Sequence, residues 1–176
     1  MTEVEVALNR FAKHVITQAR ANLTRQNHNV TKGLYNSFKA EVKKYPNSFL
    51  LKIYMAYFAN FLDKGVRGSD PTKVKNGKQK APFSPYSFRD KMPPMQPLAE
   101  WAKRKNIRFR NEKGQFAKGN YNTIGFWLQK RIFYQGLKPT NFWSTPYVNA
   151  FKNLPTKIVN AYALDIADFK KFINKR

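Results

Sequence analysis

Six apolar residues, Val4, Leu8, Phe11, Val15, Ala19 and Leu23, recur at spacings of three and four near the start of the chain. That interval matches the 3.6-residue turn of an α-helix and puts all six on one face, which a core has to cover. The start is marked as well. Thr2 and Glu5 have the spacing of a capping box, in which hydroxyl and carboxylate each accept from a free backbone N–H. Lys13, Arg20 and Arg25 lie mostly off the apolar stripe, and the polar run QNHN ends it. The prediction is one long amphipathic helix over residues 3–26.

Period two then replaces period three to four. After a short connector, VTKGLYNS (30–37), with room for one helical turn, Phe38, Ala40 and Val42 alternate with Lys39, Glu41 and Lys43. A turn at Tyr45-Pro46-Asn47-Ser48 leads into a return run, where Phe49, Leu51 and Ile53 alternate with Leu50, Lys52 and Tyr54. Such alternation is the mark of half-buried strands, so a hairpin is expected. The segment AYFANFLDKG reads as a short helix closed by Gly65. Pro97 is expected to open another, PLAEWAKRKN, because proline suits a first helical position. IRFRNEKGQFAKG has the pattern of a small strand–turn–strand. TIGFWLQKRIFYQG (123–136) is a second strong helix with Ile124, Trp127, Leu128, Arg131, Ile132 and Gln135 at helical spacing and Gly136 at its end. A last helical region is expected from Val148 to Phe172, with Pro155 bending or dividing it.

Between these lies residues 66–95, rich in proline and lysine and without sustained period. A connection longer than about 12–15 residues is either functional or disordered. Within and before it Lys64, Arg67, Lys73, Lys75, Lys78 and Lys80 stand against Asp63 and Asp70. A second cluster follows at Lys103, Arg104, Lys105, Arg108, Arg110 and Lys113. The formal charge of +23, from 33 cations and 10 acids, favours polyanionic partners such as nucleic acid. The abundance of lysine and asparagine offers a plainer source, an A-rich genome. Lys73, Lys75, Lys78, Lys80, Arg108 and Arg110 are the candidates for contact with DNA, and Phe109 and Phe116 among the cations could stack on single-stranded bases.

Catalytic chemistry has little material. His14 and His28 fall within and at the end of the first helix, and no serine sits in a nucleophile elbow. Asp165 and Asp168 form the one close helical acid pair, best read as balancing Lys170 and Lys171. Gly77-Lys78 is followed by Gln79 and then proline-rich chain, which breaks the spacing and context of a phosphate-binding loop. The absence of cysteine excludes disulfides and thiolate metal sites. No catalytic residue, cofactor or metal is therefore expected. The apolar run FLLKIYMAYFANFL (49–62) is interrupted by Lys52 and Asn60 and falls short of the ~20 residues of a bilayer span, so a soluble chain with no membrane partner is expected.

The order of these signals resembles the head–tail joining and tail-completion proteins of tailed double-stranded DNA phages, the group that includes minor tail protein Z. Four stretches carry it: the long first helix leading to Gly33-Leu34-Tyr35-Asn36-Ser37; YMAYFANFLDKGVRG; PMQPLAEWAKRK from Pro94 to Lys105; and IGFWLQKRIFYQGLKPTNFWSTPYVNAF. Together they span residues 3–152. The resemblance implies an α+β fold over residues 1–176, a small antiparallel sheet packed on the first helix, with 66–95 inserted and 148–176 as a C-terminal helical extension. It implies a structural virion protein rather than an enzyme, made in the host cytoplasm. Copies would form a six- or twelve-fold ring around the DNA channel at the head–tail junction, against portal, adaptor or tail-tube proteins. In that setting Phe83, Tyr86, Phe88 and Trp143 are the expected protein-interface residues, with the 66–95 loop ordering on assembly. The rival reading is a basic, sequence-nonspecific nucleic-acid-binding protein.

Overall fold

In the computed structural model, helix α1 (Glu3–Arg25) starts on the expected capping box: the Glu5 N–H donates to Thr2 Oγ1 at 3.3 Å, and the Thr2 N–H donates to Glu5 Oε2 at 2.8 Å. Residues other than Met1, Val30, Asn47, 111–112, 117–118 and 174–176 are described, and for Phe169, Phe172 and Ile173 the backbone alone. At its far end α1 closes with a Schellman motif. Asn27 takes φ 58°, its N–H donates to Thr24 O, and the His28 N–H donates to Leu23 O. All six stripe residues are buried, with Ala12 beside them. Each of the larger ones contributes roughly 1.5–3 kcal/mol by leaving water.

The chain forms two compact units, Met1–Tyr57 with Phe142–Arg176, and Phe58–Asn141. In the first, a one-turn helix α2 (Gly33–Ser37) precedes the hairpin β1 (Lys39–Tyr45) and β2 (Ser48–Tyr54). The strands pair antiparallel, with Val42 opposite Leu51 and Lys44 opposite Phe49. Val42, Phe49 and Leu51 turn towards α1 and pack on Val4 and Leu8, while Lys52 and Tyr54 face out. The C-terminal part is two helices, α6 (Ser144–Phe151) and α7 (Leu154–Ile173). This corrects the expected start at Val148. The break falls at Lys152-Asn153 and leaves Pro155 in the first turn of α7, where the missing N–H has no helical partner to lose. Ala161, Leu154 and Ile158 of α7 complete the core on α1. Asp165 reaches the start of α1, accepting from the N–H groups of Glu3 (2.9 Å) and Val4 (3.4 Å). A long helix on a small antiparallel sheet, closed by a C-terminal helix, makes the chain α+β.

The second unit is built around two helices that leave through glycine in the same way. Helix α3 (Ala59–Lys64) exits at Gly65 (φ 71°, ψ −176°), and α5 (Tyr121–Gln135) exits at Gly136 (φ 86°, ψ 179°). The exits pair as the two-residue strands β3 (Val66–Arg67) and β4 (Gly136–Leu137). Helix α4 (Met95–Arg104) packs on α5 where Gly125 meets Ala99. It begins two residues before the expected Pro97, which occupies the third position of the first turn, again without an N–H to lose. The expected strand–turn–strand is a single bridge, Arg110 to Phe116, and residues 111–112 and 117–118 of that stretch lie outside the described set.

The loop between β3 and α4 is folded onto its own unit. Arg67 donates to Tyr86 O and accepts from the Phe88 N–H, Ser69 donates to Phe133 O, and Gln79 makes a two-way pair with the backbone of Gly68. The buried Ser84 hydroxyl donates to Gly65 O at 2.7 Å and accepts from the Tyr86 N–H. Ser84→Ala strands both groups and should cost about 1–2 kcal/mol in chemical denaturation. Ser84→Thr, which keeps the hydroxyl, should recover part of that loss.

Candidate interaction surfaces

The four aromatic residues expected at an interface differ in their surroundings. Phe83 stands 98% exposed at the tip of the loop. Tyr86 is half-buried, edge-on to Phe61 at 4.7 Å, and Phe88 lies 5.9 Å from Phe133. Trp143 stacks between Phe38 (5.8 Å) and Tyr147 (5.9 Å), inside a ladder of rings that continues to Phe151. Three of the four are thus engaged within their own units. Tyr86 and Phe88 tie the loop down, which replaces the expectation of a segment that gains order on assembly.

The lysines of the loop also divide. Lys73, Lys75 and Lys78 are exposed, the first on a turn of 3-10 helix (Pro71–Lys73) and 5.6 Å from the Tyr134 ring. The Thr72 hydroxyl and N–H hold the Asp70 carboxyl that caps this turn below its ordinary pKa. Lys80 is exposed as well, yet partial desolvation, and then the neighbouring Arg131 guanidinium, lower its pKa from the usual lysine value.

Arg131 belongs to a set of ring–cation contacts on α5 and on Arg108, Arg110 and Phe116. On α5, Arg131 lies over the Trp127 ring at 4.9 Å and Lys130 over Phe126 at 4.5 Å. Trp127 meets Phe109 edge-on at 5.8 Å. Either side of Phe109, Arg108 and Arg110 lie over Phe116 at 5.7 and 4.8 Å. Phe116, Phe126 and Trp127 are all exposed. The buried residues of α5 are Ile124, Gly125, Phe133 and Gln135, so Trp127, at helical spacing from Ile124, is not among them. The missed signal is local: Phe126–Lys130 and Trp127–Arg131 are both ring-to-cation pairs at i, i+4, the spacing at which helix side chains meet.

In the first unit the surface is apolar. Val159, Tyr162 and Ile166 form an exposed stripe along α7, the first of them 66% exposed. Elsewhere in this unit α1, α6 and α7 enclose an open groove of about 610 Å³, floored by Ala7, Phe11 and Ala161 and edged by Arg10, His14 and Lys157. Among the described residues no group of three His, Cys, Asp or Glu side chains could hold a metal ion, and no helix is long and apolar enough to cross a membrane. No family model matches the chain, and no curated protein or solved structure is significantly similar to it.

Proposed function

We propose that the chain is a structural, non-enzymatic virion protein, one subunit of an oligomeric ring around the DNA channel at a phage head–tail junction. The reading rests on the motif order that resembles head–tail joining and tail-completion proteins. The observation that carries it is the surface of the first unit. A closed ring joins its subunits head to tail, so each copy needs two unlike, complementary surfaces. The apolar stripe of α7 and the recessed groove of α1, α6 and α7 are two unlike surfaces on one unit. Exposed apolar side chains aligned along one helix face suit burial against a partner. The fully exposed Phe83 would add a contact to a neighbouring ring, portal or tail protein, because aromatics dominate interface energetics. Lumen-facing lysines would neutralise phosphates without reading sequence.

Native mass spectrometry and negative-stain microscopy, on the protein alone and with its portal partner, test this reading. Rings are expected in at least one case. Val159→Asp with Ile166→Asp should abolish them while leaving helix content unchanged, since both side chains already face water in the isolated subunit. A chain that stays monomeric and ignores the portal, yet binds duplex DNA tightly, would sink the proposal in favour of a nonspecific nucleic-acid binder.

A further inference from the structure

We propose that the rings and cations on α5, with Arg108, Phe109, Arg110 and Phe116, are a binding site for single-stranded nucleic acid, held by base stacking as well as charge. Residues 101–135 carry nine lysines and arginines against the single acid Glu112. A solvated basic face would explain that excess, but it gives no reason for exposed aromatic rings among the cations. Here Arg108 and Arg110 share the exposed Phe116 ring, and Arg131 covers Trp127. A guanidinium over a ring can offer its other face to a base. Arg108 uses one of its five N–H donors on Asn106 Oδ1, Arg110 one on Gly114 O and Arg131 one on Gln135 Oε1, which leaves the others to reach phosphate. Phe109, edge-on to Trp127, ties the 108–110 segment that carries Arg108 and Arg110 to α5. Such a platform suits unpaired bases. In a duplex the base faces are stacked on each other and unavailable, so the rings would contribute nothing there.

Charge alone makes a protein of +23 bind any polyanion, so the test has to isolate the bases. The full chain is titrated by fluorescence anisotropy at about 0.2 M salt. The probes are an oligothymidylate of about 15 nucleotides, an abasic strand of the same length, the matching duplex and poly-glutamate. The thymidylate should bind about tenfold or more tighter than the other three. Phe116→Ala combined with Trp127→Ala should reduce it to the abasic level with an unchanged salt slope. Phe116→Ala alone removes an exposed ring, 62% accessible, and so keeps the test valid should the double variant unfold; it should weaken thymidylate binding several-fold and leave abasic binding as it was. Equal affinity for thymidylate and abasic strands would overturn the proposal. So would duplex or poly-glutamate binding as tight as thymidylate, the latter marking a site for acidic protein. The proposal stands apart from the connector reading, because anisotropy is read whether or not the chain forms rings.

Discussion

Gly136→Ala should be the most damaging single-methyl change in the second unit, lowering stability by about 3–5 kcal/mol in denaturant titration. Two causes add. The backbone there, φ 86° and ψ 179°, lies in a region that residues with a Cβ essentially do not enter. A Cβ at Gly136 would also stand 2.3 Å from Val66 O and 2.6 Å from Gly68 N, both backbone atoms that cannot rotate away. The same conflict exists in reverse. A Cβ at Gly65 would meet Leu137 O at 2.4 Å, so the two helix exits approach as closely as they do because neither carries a side chain. Gly114→Ala separates the two causes. Gly114 has φ 77° but nothing within 4 Å of its Cβ position, and its replacement should cost only about 1 kcal/mol. Equal losses at the two glycines would show that close backbone approach contributes nothing.

This crossing of exits also marks where the sequence stops being readable. The helices, and the glycines that end two of them, follow from local rules: periodicity, capping side chains and left-handed exits. The hairpin is equally local: Phe49, Leu51 and Ile53 keep the expected alternation and Val42 pairs with Leu51, although Ala40, expected on the inner face, is exposed. Strands β3 and β4 have two residues each, too few to show any period, and their partners lie about seventy residues apart in the chain. The fold of the 66–95 loop is set the same way, by nonlocal bonds such as Ser69 to Phe133 O and Lys80 to Gln135 O. Its prolines advertise a loop and say nothing of what the loop rests on. For the candidate surfaces, the basic clusters were plain, because charge is additive along a sequence. Which rings remain exposed was not: Phe83 and Tyr86 look alike in PFSPYSF, and burial of the second depends on Phe61 in another element.

Phe142→Ala should cost about 3–5 kcal/mol, the largest loss expected from any substitution in the first unit. Phe142 is fully buried at the point where the chain re-enters this unit. Its ring meets Phe38 at 6.3 Å, edge to face, and its carbonyl accepts from the Asn22 side chain of α1 at 3.2 Å. Phe38 in turn stacks on Trp143, so the void left by alanine opens beneath the ring ladder that seats α6. The backbone bond from Asn22 survives truncation, which limits the change to packing. Phe142→Leu should therefore recover more than half of the loss, because it refills most of the volume and lacks only the ring contact. Helices α6 and α7 carry the stripe and two walls of the groove proposed for assembly. Loosening their seat should lower ring occupancy at temperatures where far-ultraviolet circular dichroism still reports a folded chain. An Ala variant that melts like the parent would place the anchor of α6 elsewhere, in the Trp143–Tyr147–Phe151 stack itself.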